Sequence, residues 1–216
     1  LKVGYRLIDT AYWYHNEEGV GRGIKRAIAE GICTREEIFI TTKLPPYGFS
    51  DYYEAIKDCV SRLGVDYIDL MLVHQQGRDE KKLYQAMEKA HDAGLVRSLG
   101  ISNYYTESDI DRVLSFAKIR PAVIQNENHP FYQNSKIRDF CKKSDIYIES
   151  YYPLGGRGHT QTLFSASTIS AIAKAHGKTS AQILLRWHIQ AGYIAIPGSS
   201  NPAHIAENFA IFDFML

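Results

Sequence analysis

Short runs of apolar, β-branched and aromatic residues recur along the chain at 5–10, 38–44, 67–74, 96–102, 122–127, 147–152 and 193–197. They are continuous rather than alternating, which predicts strands covered on both faces, as in a parallel sheet. Between them, apolar positions return at helical spacing. Ile56, Val60 and Leu63 make one stripe of a helix over 53–63, closed by Gly64. The same pattern predicts helices at 83–93, 108–117, 135–143, 168–176 and 180–190, the first and the last two stopped by Gly94, Gly177 and Gly192. A further helix should begin near Asn201-Pro202, and residues 1–5 read as the tail of a helix entering the first strand.

The strand centres lie roughly 24–34 residues apart, one strand plus one helix per step, and the last step is long enough for two helices. Such alternation implies right-handed parallel crossovers. No Pro-, Gly- or Ser-rich linker interrupts the series, so residues 1–216 read as a single α/β domain. Seven units in series suit a closed (β/α)8 TIM barrel better than an open sheet. A full barrel typically takes about 250 residues. The chain therefore reads as a barrel short of about one strand and helix and a C-terminal extension, with both Leu1 and Leu216 looking like cut ends.

Composition narrows the function classes. The 216 residues carry 25 Lys+Arg against 24 Asp+Glu, a formal charge of +1, which makes no electrostatic case for nucleic acid or an anionic membrane. No apolar run approaches the about 18 residues that a spanning helix needs, and no secretory leader is visible. Three separated cysteines, Cys33, Cys59 and Cys141, argue for a reducing, cytoplasmic setting and against a disulfide framework or zinc knuckle. No coiled coil or large apolar helical stripe demands a partner, so a monomer or weak dimer is expected.

In a parallel barrel the chemistry gathers where the strands end. These exits are polar: Asp9, with Tyr14 five residues on, then Lys43, His74, Ser102-Asn103, Gln125 and Glu127, Tyr151, and Gly198-Ser199-Ser200. Singly, an Asp or Lys at a strand end is an ordinary cap or solvated charge. Together, a carboxylate, a phenol, an ammonium and an imidazole at successive exits point to proton transfer.

Several of these segments resemble the aldo-keto reductases. The first runs Gly4-Tyr5-Arg6-Leu7-Ile8-Asp9-Thr10-Ala11 through Tyr14 to Glu17-Glu18-Gly19-Val20-Gly21. Thr41-Thr42-Lys43-Leu44, Asp66-Tyr67-Ile68-Asp69-Leu70 leading to His74, and Gly100-Ile101-Ser102-Asn103-Tyr104 follow. So do Gln125-Asn126-Glu127-Asn128-His129-Pro130, Tyr151-Tyr152-Pro153-Leu154-Gly155 and Ile196-Pro197-Gly198-Ser199-Ser200. The resemblance implies a (β/α)8 barrel that reduces an aldehyde or ketone with a nicotinamide cofactor. By position it makes Tyr14 the general acid, Lys43 the cation that favours its phenolate, Asp9 the partner that holds Lys43, and His74 the group that orients the carbonyl oxygen. Trp13 would line the substrate pocket.

It also implies that Asp9, Ser102, Asn103 and Gln125 face the nicotinamide, with Tyr151 stacking on its ring and Leu154 in the loop over the pyrophosphate. Glu207 and Asn208 match positions that reach the adenine. Around the adenosine 2′-phosphate the family usually has a Lys right after Ile-Pro and an Arg six residues on; here those are Gly198 and His204. Ser199, Ser200 and the amides of the helix starting near Asn201 would remain for a phosphate. NADP (as NADPH) is the expected cofactor, with NAD open because both permanent cations are gone.

The glycine-rich stretches at 19–23 and 155–158 lack GxGxxG spacing, and Gly177-Lys178-Thr179 lacks the leading glycine of a P-loop. Metal-ligand spacings are absent, which counts against a metal-dependent hydrolase; a phosphate-binding isomerase is the other barrel chemistry to weigh. The main alternative to an enzyme is a cofactor-binding sensor or regulatory subunit that retains the barrel. His129 reads as a structural histidine, and His15, His91, His159, His176 and His188 as surface or helix residues.

Overall fold

A computed structural model describes residues 1–216, apart from the side chain of Arg157. The chain divides into two compact units, Leu1–Ile124 and Gln125–Leu216, with strand order following chain order.

The first unit holds β1 (Leu7–Asp9), β2 (Phe39–Leu44), β3 (Ile68–Val73), β4 (Val96–Ser102) and the opening of β5 (Val123–Glu127). Its helices are α1 (Glu17–Ala29), α2 (Tyr52–Leu63), α3 (Glu80–Asp92) and α4 (Glu107–Leu114), with a 3-10 turn at Tyr12–Tyr14. Strands β1 to β4 pair in parallel, with Asp9 opposite Thr41, Lys43 opposite Leu72 and Val73 opposite Ile101. Every residue of β3 is buried, as its continuous apolar run predicts. Each such Leu or Ile contributes roughly 1.5–3 kcal/mol. By contrast, β1 is only half-buried along its length, so burial on both faces does not extend to it.

Local signals start and stop the helices. The Asp51 side chain accepts the Tyr53 and Glu54 amides at 2.8 and 3.2 Å, and Gly64 ends α2 in the left-handed region at φ 62°. Gly21 lets α1 lie against α2, since a Cβ there would fall 2.1 Å from the Leu63 carbonyl oxygen. The expected helix tail at residues 1–5 is instead a turn, with the Gly4 amide on the Leu1 carbonyl at 3.0 Å and Gly4 at φ 122°.

The second unit holds the rest of β5, then β6 (Tyr147–Tyr151) and β7 (Ile194–Ala195), which pair in parallel. Its helices are α5 (Ser135–Ser144), α6 (Gly156–Phe164), α7 (Ser167–His176), α8 (Ser180–Gln190) and α9 (Pro202–Phe209). Three helices, not two, therefore lie between β6 and β7; α6 opens on glycines and has no apolar stripe for a periodicity reading to find. Helix α8 starts with a reciprocal capping box between Thr179 and Gln182. His188, expected at the surface or on a helix, sits on α8 but is fully buried, its ring nitrogens 2.8 and 2.9 Å from the Leu184 and Asn128 carbonyl oxygens. No helix among the described residues is long and apolar enough to cross a membrane.

Candidate active site

Within the first unit, four strands deliver polar groups at their carboxyl ends. Asp9 ends β1, Lys43 is the next-to-last residue of β2, His74 follows β3, and Ser102 ends β4. Side chains alternate along a strand, so Thr41 and Lys43 share a face, and Asp9, opposite Thr41, joins them.

The Lys43 side chain is fully buried, and its ammonium donates to Asp9 Oδ1 at 2.6 Å and to the Thr10 carbonyl at 2.9 Å. A buried charge needs such pairing. The ion pair expected between these two residues is therefore present. Tyr14 closes the 3-10 turn, its amide on the Ala11 carbonyl at 3.0 Å, and His15 ends that turn in the left-handed region at φ 50°. The Lys43 ammonium lies 5.0 Å from the centroid of the Tyr14 ring. Tyr14 stays 49% exposed, and no hydrogen bond joins its hydroxyl to Lys43 or His74 among the described residues.

His74 packs between aromatic rings, 4.8 Å from Trp13 and 5.8 Å, edge-on, from Tyr14. Burial, and then the Lys43 charge, push its pKa down to about 4. At neutral pH it is an uncharged imidazole, with Nδ1 buried and lacking a hydrogen-bond partner among the described residues. Ser102 is buried, and Asn103 takes a left-handed conformation at φ 64° that lets its amide donate to the His74 carbonyl at 2.8 Å. Asp9, Trp13, Tyr14, Lys43, His74, Ser102 and Asn103 thus share one rim, with side-chain contacts running from Asp9 through Lys43, Tyr14 and His74 to Trp13.

The second unit carries the other predicted residues. Gln125 is buried on β5 and donates its amide nitrogen to the fully buried Glu149 carboxylate, which fixes which way that amide faces. Tyr151 is half-buried, edge-on to Tyr152 at 5.1 Å, and Leu154 packs against the cluster built on Leu163 and Ile183. Ser199, Ser200 and His204 are exposed, and nothing lies within 4 Å of where a Gly198 Cβ would stand. Two amides at the start of α9 are already capped: Ser199 Oγ accepts the Asn201 amide at 3.1 Å, and Asn201 Oδ1 the Ala203 amide at 2.9 Å. That leaves fewer backbone donors for a phosphate than the sequence suggests. Glu207 accepts from the Thr179 hydroxyl at 2.8 Å, and Asn208 is buried.

Three neighbours escape a reading of strand exits. Tyr47 lies 5.5 Å from Trp13 with its hydroxyl accepting from Gln75 at 3.1 Å; an aromatic just after Pro45-Pro46 at a strand exit is the signal for it. Glu17 and Arg62 form an ion pair behind β2 and carry no comparable signal.

A family model described as the Aldo/keto reductase family matches residues 1–216. The chain is 42% identical to an aldo-keto reductase of Mycolicibacterium smegmatis over all of its own length and 75% of that protein's. It is 40% identical to a glyoxal reductase of Bacillus subtilis, over its whole length and 76% of the relative's. Among solved structures it superposes on an aldo-keto reductase from a deep-sea metagenome with a TM-score of 0.92 at 41% identity, covering 99% of this chain and 78% of the other. A Bombyx mori aldo-keto reductase in complex with NADP gives 0.90 at 38%, covering 100% and 76%. Strands and helices that alternate in parallel order, a match over the whole length and relatives at this identity agree: the chain is an α/β protein of the (β/α)8 class and belongs to the aldo/keto reductase family.

Proposed function

We propose that this chain reduces an aldehyde or ketone to the alcohol with NADPH, Tyr14 giving the proton. The observation that carries the reading is a fully buried ammonium, locked by Asp9, set beside a phenol that remains half open to solvent. When bound, a reduced nicotinamide supplies a hydride to the carbonyl carbon. The carbonyl oxygen then needs a proton, and the Tyr14 hydroxyl donates it. Negative charge left on the phenol oxygen is stabilised by Lys43, in a site where that attraction is stronger than in water. The uncharged His74 ring holds the same oxygen by a hydrogen bond without competing as a second acid. Trp13 and Tyr47 flank the position and keep water from the rest of the substrate.

The donor set suits a nicotinamide. A carboxamide has one acceptor and one donor group; in the first unit Ser102 and Asn103 offer a hydroxyl and an amide, and in the second Gln125, its nitrogen turned to Glu149, offers an oxygen. Tyr151, Leu154, Ser199, Ser200, Glu207 and Asn208 are the second unit's contribution to this reading. A Candida tropicalis relative, 36% identical, is an NAD(P)H-dependent D-xylose reductase, and the Bombyx mori relative holds NADP, which favours NADP with NAD as a second cofactor. The three cysteines are buried and free, in keeping with a cytoplasmic protein.

The test is to mix the protein with NADPH and a panel of reactive carbonyls and follow the loss of nicotinamide absorbance. Turnover that disappears in Tyr14→Phe supports the reading; turnover unchanged in that variant refutes Tyr14 as the acid. NADPH binding with no turnover on any carbonyl supports the regulatory-subunit alternative instead.

A further inference from the structure

The Tyr14 turn is anchored from outside the site by a buried carboxylate. Glu17 is the first residue of α1, three residues beyond Tyr14, yet its side chain is only 2% exposed. One carboxylate oxygen accepts from the Thr42 hydroxyl at 2.6 Å, and the other from Arg62 Nε at 2.8 Å. Thr42 precedes Lys43 on β2. Because side chains alternate, Thr42 faces the helices while Lys43 faces the site. The guanidinium of Arg62, in the last turn of α2, also lies 4.9 Å over the ring of Tyr12, the residue that opens the 3-10 turn ending in Tyr14. Glu17 and Tyr12 therefore bracket Tyr14 in the chain, and both are tied to the one strand position next to Lys43 or to the arginine that shares it. A carboxylate with this burial relies on those partners to offset its lost hydration.

From this we infer that Glu17 and Arg62 are positioning residues for Tyr14: they set where its hydroxyl stands relative to the Lys43 ammonium, without touching the reacting atoms. The inference rests on the reductase reading for its kinetic consequence, though not for the anchoring itself. Proton transfer is sensitive to placement, and a displacement of about 1 Å can cost on the order of a hundredfold in rate. A Glu17→Gln change keeps the shape but removes the charge that holds Arg62. Arg62→Lys keeps a cation but loses the planar group over Tyr12. Thr42→Val is the mildest change, removing one hydrogen bond at constant volume.

The experiment has two arms on the full chain. The first is amide hydrogen exchange of residues 11–16 by NMR, which needs no activity. Exchange about tenfold faster there in Glu17→Gln, with the amides of β2 to β4 unchanged, supports the anchoring; equal exchange overturns it. The second is steady-state reduction of a carbonyl. The expected result is a kcat about tenfold lower in Glu17→Gln, a smaller loss in Arg62→Lys, and KM and NADPH affinity within twofold of the parent. A loss confined to KM, or none, overturns the positioning role. Should Glu17→Gln not fold, Thr42→Val carries both arms with the same signs and about threefold effects. Absence of turnover in the parent chain would sink the reductase reading alone, leaving the exchange arm to decide whether Glu17 and Arg62 hold the turn.

Discussion

Two buried ion pairs in the first unit make opposite use of the same chemistry. Near the start of the strands, Asp69 on β3 accepts from Arg35 at 2.7 Å and from the Ile40 amide at 3.0 Å. That arginine also donates to the Ile38 and Tyr67 carbonyls, both at 2.7 Å. Its terminal nitrogens are taken up by backbone and carboxylate while Nε lies buried without a partner among the described residues, and the pair ties the β2 entry to β3. At the other end, Lys43 has two partners for its three protons, Asp9 and the Thr10 carbonyl, and stands against a half-exposed phenol and an imidazole. The first pair is spent on holding strands together, whereas the second keeps a cation pointed at a place where charge can develop. Neither burial nor an unpaired donor marks a functional ion pair, since Arg35 has both; what differs at Lys43 is a phenol half open to solvent and an imidazole beside the cation.

Substitutions at the two ends should separate these roles. The largest effect is expected for Tyr14→Phe, which should lower kcat by about 10²–10⁴-fold, the usual range for a general acid, with melting temperature unchanged. Retained kcat would erase the distinction between the two pairs. Next, Asp69→Asn leaves Arg35 uncompensated and should destabilise the fold by about 4 kcal/mol in urea unfolding, while the folded fraction keeps its kcat. A comparable fall in kcat per folded molecule would show that the structural pair also serves the chemistry.

The imidazole gives a pH signature. Its folded pKa is near 4, against an ordinary 6.5 for the unfolded chain, so the unfolded state binds the extra proton first. This contribution is complete above pH 6.5 and is lost as pH falls toward 4, by roughly 3 kcal/mol in all. Urea midpoints measured across that window should fall less steeply for His74→Gln. The smallest change belongs to the second unit. Gly198→Lys or His204→Arg supplies a permanent cation at an exposed position, and each should raise the preference for NADPH over NADH about five- to tenfold, read by fluorescence titration of both cofactors.

Much of this was legible in the chain, for physical reasons that differ by region. Buried strands such as β3 and β4 announce themselves because both faces must be apolar, and the helices of regular stripe and glycine stop follow from periodicity. Helix α6 opens on Gly156 and Gly158 and has no apolar stripe, whereas α1 has one, Val20, Ile24, Ala27 and Ile28, set among the glycines at 19, 21 and 23. Three of the four site residues, Asp9, Lys43 and His74, stand at or just after strand ends in order, so topology alone gathers them, and Tyr14 follows on the turn after β1. Their charge states did not follow from order: that His74 is neutral depends on how deeply it lies and on Lys43. His188 falls on a helix, but its burial is not legible, because a polar residue between apolar ones on a helix has no written sign of the carbonyls it will meet. Glu17 was hidden for a related reason, as its partners are 25 and 45 residues away.

The close approach at Gly21 has a practical consequence. With the Leu63 carbonyl already where a methyl group would go, any larger residue would wedge the first two helices apart, and the tyrosine-bearing turn hangs from the start of the first. A library meant to widen substrate range can therefore vary Trp13 and Tyr47 beside Tyr14, but it must leave this one hydrogen-sized gap alone. Otherwise variants would be lost that never had a fault in the pocket itself.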